Sequence, residues 1–147
     1  MNDMKRIIFL CHGNICRSVA AEYIAKDYLA KQGKAEDYEI IPRALSHEEI
    51  GNDIYPPMKA ALRRAGIPFG VHHAAFMSQG EFASADEIYY MDESNAIRLR
   101  RMFGSLDHRC HQLSDYLEGV NEIDDPWYTG RFDEVVDQLR RCMEHIF

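Results

Sequence analysis

The sequence predicts an α/β fold, one domain over residues 1–147 with a mostly parallel sheet and helices on both faces. Three observations point there. A chain of 147 residues suits one domain with one sizeable core. Apolar runs of strand length alternate with helical patterns, the order that builds βαβ units. The first such run leads through a polar, glycine-containing turn directly into a helix.

Taken in order, Lys5–Leu10 (KRIIFL) is a buried-strand candidate. Cys11–Ser18 (CHGNICRS) is the turn, and Ser18–Gln32 reads as a helix on the spacing of Val19, Tyr23, the Ala25/Lys26 turn and Leu29. Ser18 is its expected N-cap, with Glu22 one turn on, and Gly33 its stop. A second strand fits Tyr38–Ile41, closed by Pro42. Pro56 and Pro57 open a helix that reaches Ala65, where Gly66 ends it. Asp86–Met91 (DEIYYM) is the third strand, followed by a helix over Glu93–Phe103 that stops at Gly104. A weaker strand falls at Arg109–Leu113, and a last amphipathic helix at Phe132–His145. No repeat, low-complexity tract or linker interrupts the chain.

Hydrophobic residues make up 46% and charged residues 28%, an ordinary globular balance. A net charge of −7 argues against nucleic acid or an anionic membrane as the main partner. No 18-residue apolar run occurs, and Met1–Phe9 lacks a long apolar core, so neither a membrane span nor a signal peptide is expected. Four cysteines (Cys11, Cys16, Cys110 and Cys142) are too few for a disulfide scaffold and read as reduced thiols of a cytoplasmic protein. Cys110 and Cys142 are expected in the core. Arg98, Arg100 and Arg101 read as a solvated helix face. The seven histidines include no clear metal-binding pair, so neither a metal nor a cofactor is expected.

In a parallel sheet, ligands sit beyond the carboxyl ends of strands, which places Cys11–Ser18 at the expected site. Five residues separate Cys11 from Arg17. A loop of that length can curl so that backbone N–H groups converge on an anion, and the positive end of the following helix adds to the field. Arg17 adds a planar fork for phosphate oxygens. A cysteine at the mouth of such a nest is favoured as thiolate, the nucleophilic form. Gly13 and Asn14 are residue types that tolerate positive φ, and Ser18 can donate to the sulfur. His12 supplies backbone rather than acid or ligand chemistry. A cysteine and an arginine at this spacing also arise by chance; the strand–loop–helix context is what singles them out.

Cleaving a phosphate ester through Cys11 also needs a proton donor. Asp125, held extended before Pro126 in IDDPWYTG, is the best candidate, with Asp124 its competitor. Trp127 and Tyr128 can wall a slot for a flat ring. The same residues equally fit a plain Asp-Pro turn with Trp127 in the core.

These residues together resemble the low-molecular-weight protein tyrosine phosphatases. CHGNICRS followed by Ala21-Glu22 is similar to the family's C-x-G-N-x-C-R-S-P-x-A-E signature; EEIGN at 48–52, YMDESN at 90–95 and DPWY at 125–128 look like family blocks in family order. The resemblance implies a three-layer sandwich around a four-stranded parallel sheet of order 2-1-3-4. It implies Cys11 as nucleophile, Arg17 as phosphate clamp, and Asp125 as acid and then base. Phosphate would be bound by the loop residues His12, Gly13, Asn14, Ile15, Cys16, Arg17 and Ser18. Asn14, Ser18, His72 and Asp92 would support that loop, and Ile15, Glu48, Trp127 and Tyr128 would line the slot. The implied partner is a phosphotyrosine-containing protein, with inorganic phosphate and other oxyanions as inhibitors. Cys16 reads either as partner in a reversible disulfide that shields Cys11 or as a small buried side chain.

Four positions depart from the family pattern. Val19 replaces a proline at the helix start, Pro42 a serine that helps hold the loop asparagine, and Ala75 a commonly basic residue. Glu48 puts an acid at a wall position. Some relatives prefer phosphoarginine and carry threonine where Ile15 stands, so the larger apolar side chain favours a phenyl ring. The rivals are a protein arginine phosphatase, an arsenate reductase and a non-catalytic phosphoprotein-binding module. An arsenate reductase would need resolving cysteines, and none lies between Cys16 and Cys110. A binding module would have no call for both Cys11 and Asp125.

Overall fold

Strand β1 (Lys5–Cys11) alternates its side chains between two cores of buried apolar residues. The computed structural model describes residues 4–147; Met1–Asp3, part of the stretch read for a signal segment, lie outside the described residues. Ile7, Phe9 and Cys11 face one layer of helices, while Ile8 and Leu10 face the other. A strand buried on both faces needs apolar residues throughout, which is what KRIIFLC supplies after its first two positions. Each Ile, Leu or Phe buried there contributes about 1.5–3 kcal/mol.

The other strands are β2 (Tyr38–Ala44), β3 (Glu87–Tyr90) and β4 (Cys110–Gln112). All pairings are parallel and the order is β2-β1-β3-β4, as expected. Helices α1 (Arg17–Lys31), α2 (Pro56–Arg64) and α6 (Phe132–Ile146) cover one face. Helices α3 (Gln79–Ser84) and α4 (Glu93–Phe103) cover the other, and the single turn α5 (Pro126–Thr129) lies at the carboxyl end of the sheet beside the 11–18 loop. No helix among the described residues is long and apolar enough to cross a membrane.

The sheet corrects two sequence expectations. Strand β2 does not close at Pro42 but runs on to Ala44, with Pro42 opposite Phe9. Because β2 is an edge strand, the missing N–H breaks no ladder bond that the sheet needs. Ser18 is not the N-cap of α1: the helix starts at Arg17 after Cys16, with no side-chain cap. The Ser18 hydroxyl is engaged in the loop instead, which leaves the helix's first N–H groups free for that loop. Helix α3 went unforeseen, although Ser78 and Glu81 form a reciprocal capping box, with Glu81 N–H donating to Ser78 Oγ at 3.1 Å and Ser78 N–H to Glu81 Oε1 at 3.0 Å. Cys142 is fully buried and Cys110 half-buried against the second core. Arg98, Arg100 and Arg101 are exposed.

Candidate active site

The chain leaves β1 at Cys11 and folds back into α1 within the loop that the sequence singles out. Cys11 is buried at its centre. The N–H groups of Asn14 and Ser18 point at its sulfur from 3.3 and 3.4 Å, and Ser18 Oγ stands 3.1 Å away. Asn14 makes the curl: at φ 60° it is the one non-glycine residue among those described with positive φ. Gly13, expected to share that role, does not take positive φ. Its value is spatial, because a Cβ there would stand 3.2 Å from Glu49 Cγ and intrude on the pocket.

The strained turn at Asn14 is held on three sides. Its Oδ1 accepts from the Ser18 hydroxyl at 2.8 Å, its Nδ2 donates to the carbonyls of Pro42 and Ala75 at 3.4 and 3.3 Å, and its own carbonyl accepts from His72 Nε2 at 2.6 Å. The departures at Pro42 and Ala75 therefore leave support intact, since each acts through a backbone carbonyl. Burial pushes the His72 imidazolium pKa down against the opposing pull of that carbonyl, so the ring is neutral and donates from Nε2. The His12 carbonyl accepts from both N–H and hydroxyl of Ser46, at 3.1 and 2.9 Å. The His12 ring meets Glu48 at 3.0 Å across the pocket mouth.

Arg17 is 2% exposed and fully oriented. Its Nη1 donates to Asp92 Oδ2 and to the Ile123 carbonyl, both at 2.7 Å. Burial works against its charge, but Cys11 and Asp92 outweigh that and raise its pKa. No hydrogen bond from the described residues occupies Nε or Nη2; Nη2 lies 3.6 Å from Asp125 Oδ2. One planar edge of the guanidinium is thus free for an oxyanion.

Asp125 does two things at once. Its Oδ1 caps α5 by accepting from Trp127 N–H at 3.0 Å, and its Oδ2 faces Arg17. Asp124 is exposed and outside the pocket. Trp127 is 52% exposed, so it belongs to the rim rather than the core, where it packs on Tyr55 with ring centroids 4.5 Å apart. Tyr128 stands further out at 84%. The pocket brings together Cys11, His12, Gly13, Ile15, Cys16, Arg17, Glu48, Asp125, Trp127 and Tyr128; Asn14 and Ser18 do not line it, and His72 backs Asn14 while Asp92 backs Arg17. Cys16 is buried, and burial above all, with the neighbouring Cys11 and Asp125 charges, pushes its thiol pKa well up. It stays protonated beside Cys11. Sequence reasoning missed Glu49, Tyr55 and the Ile123 carbonyl; the Glu48-Glu49 doublet was legible, whereas a backbone acceptor leaves no sequence signal.

An α/β domain with a cysteine-centred loop at the end of its first strand, and an arginine and a carboxylate converging on it, is the class that fold and site define. The comparisons agree. A family model described as low molecular weight phosphotyrosine protein phosphatase matches residues 6–147, and the chain belongs to that family of hydrolases. It is 34% identical over 146 residues to the low molecular weight protein-tyrosine-phosphatase YfkJ of Bacillus subtilis, covering 97% of this chain and 94% of that one. The human low molecular weight phosphotyrosine protein phosphatase is 32% identical, with 94% and 90% covered. Among solved structures, YfkJ superposes with a TM-score of 0.92 over 98% of this chain and 92% of that chain. A Drosophila arginine phosphatase superposes with a TM-score of 0.83 at 26% identity, over 97% and 95%.

Proposed function

We propose that this protein hydrolyses phosphotyrosine in protein substrates, and small aryl phosphates, through a phosphocysteine on Cys11. The observation that carries the reading is the meeting of Cys11, Arg17 and Asp125 in one pocket, the last arriving from the far end of the chain. The phosphoryl group sits in the loop with two oxygens on the free edge of Arg17. The Cys11 thiolate attacks phosphorus as the bond to the phenolic oxygen breaks, and Asp125 gives its proton to the leaving oxygen. Asp125, now a carboxylate, takes a proton from water as that water attacks phosphorus. The S–P bond breaks, and Ser18 supports the returning thiolate. Inorganic phosphate and other oxyanions compete for the same loop. The reading gives no step to a metal or cofactor. A reducing, cytoplasmic setting goes with it, supported by four free cysteines.

A second reading, arginine phosphatase, is favoured by the Drosophila neighbour. Ile15 supports tyrosine: it is 8% exposed, lines the slot and narrows it around a flat ring. Matched phosphotyrosine and phosphoarginine peptides separate the two. We expect kcat/KM at least about tenfold higher on phosphotyrosine, the scale on which an apolar pocket discriminates by shape, and Ile15→Thr should erode that margin. Equal or reversed preference overturns the substrate and leaves the phosphocysteine chemistry standing.

Glu48 and Glu49 make the slot's edge acidic, with the His12 ring opposite Glu48. Peptides with Lys or Arg beside the phosphotyrosine are therefore expected to be preferred. Glu48→Gln should reduce the ratio of kcat/KM for basic over neutral flanks by about threefold, the scale of an exposed charge pair. An unchanged ratio removes Glu48 from substrate selection.

A further inference from the structure

Two consecutive carbonyls of the loop are gripped from outside. His72 Nε2 donates to Asn14 O at 2.6 Å, and Tyr55 N–H donates to Ile15 O at 2.9 Å. In a trans peptide the C=O and the N–H that follows it point in opposite directions. Holding these carbonyls outward therefore turns the N–H groups of Ile15 and Cys16 toward the inside of the loop, where an oxyanion sits.

The two grips come from separate stretches of chain, and one side chain joins them. Asp53 Oδ1 accepts from Ile54 N–H at 2.7 Å, immediately before Tyr55, and from His72 N–H at 3.0 Å. Its Oδ2 accepts from Lys59 Nζ of α2 at 2.6 Å. The same stretches are laced by Ala74 N–H to Asn52 O and Gly51 N–H to Ala74 O, both 2.8 Å. Asp53 does not line the pocket.

We propose that Asp53 is a positioning residue of the oxyanion loop: its Oδ1 locks the Tyr55 and His72 grips to each other and so fixes the inward aim of the Ile15 and Cys16 N–H groups. This rests on the reading of the loop as an oxyanion site. The carboxylate form is secured mainly by Lys59 and then by the two backbone N–H groups, which hold its pKa down to about 2. It stays ionised, with both oxygens committed, across the neutral range.

Two substitutions separate positioning from a plain ion pair. Asp53→Asn keeps an acceptor oxygen at the same reach but loses the charge facing Lys59. Asp53→Glu keeps that charge but carries the oxygens one methylene too far to serve Ile54 and His72 together. The measurement is the affinity for inorganic phosphate, by competitive inhibition and by calorimetry, with thermal unfolding followed alongside. We expect Asp53→Asn to bind phosphate within about threefold of the parent and Asp53→Glu to bind about tenfold more weakly, a loss of the order of one misdirected hydrogen bond. The reverse order assigns Asp53 to the Lys59 pair alone and overturns the proposal. So does unchanged affinity in both variants, or losses that merely follow the unfolding temperature. Failure of the parent protein to bind phosphate would instead remove the oxyanion reading itself.

Discussion

Cys11→Ser is expected to lower turnover of para-nitrophenyl phosphate by about 10,000-fold or more, the scale of losing a covalent nucleophile, while oxyanion binding survives. The separation follows from how the loop is built. Binding draws on the N–H groups of Ile15 and Cys16 and on the free edge of Arg17, none of which bonds to the atom that is replaced. Attack draws on the sulfur, onto which Asn14 N–H and Ser18 N–H converge and beside which the Ser18 hydroxyl oxygen stands 3.1 Å away. A serine hydroxyl there has a far higher pKa than a thiol, and neither nearby histidine is placed to take its proton: His12 turns to Glu48 and His72 serves Asn14, while Asp125 faces Arg17. The parent protein is expected to be active in the presence of a chelator. Turnover retained by Cys11→Ser would sink the nucleophile assignment, and phosphate affinity measured on the same variant reports whether the loop has kept its shape.

Asp125→Asn is the next largest expected effect, and its signature is selective. General acid catalysis contributes about 100- to 10,000-fold where the leaving group needs a proton. Phosphotyrosine and phenyl phosphate should therefore slow by that order, while an ester of a strongly acidic phenol slows far less. The substitution is a clean probe because the asparagine carbonyl can still accept from Trp127 N–H, the bond that caps α5. If all leaving groups slow equally, Asp125 acts through its charge beside Arg17 rather than as a proton donor. A series of aryl phosphates of graded phenol acidity decides between the two.

Much of this was legible in the sequence, and the misses share causes. The strands β1 and β3 and helices α4 and α6 announced themselves because apolar spacing, glycine stops and length agreed. Ser18 misled because a serine before a helix usually caps it, whereas here the hydroxyl serves the Cys11 sulfur and Asn14 Oδ1. Pro42 misled because proline ends most strands, but the position of β2 at the sheet edge decides whether it must, and edge position is a tertiary fact. At the site, Cys11, Arg17 and Asp125 carried chemical signatures of their own. The grip of Tyr55 N–H on Ile15 and of the Ile123 carbonyl on Arg17 carried none, because every residue has a backbone and only the fold says which one arrives.

Pro42 has a wider consequence for how this molecule meets other chains. An uncovered sheet edge is a template for strand addition, the route to edge-to-edge aggregation. Here β4 offers only three residues. Strand β2 offers a proline with no N–H, and just beyond it Ala44 is already paired outward, its N–H donating to Ala75 O at 2.7 Å and its carbonyl accepting from Met77 N–H at 3.1 Å. Neither margin invites a foreign strand. At the pocket rim, by contrast, Trp127 and Tyr128 stand exposed, so an incoming chain would meet side chains there rather than an open hydrogen-bonding ladder.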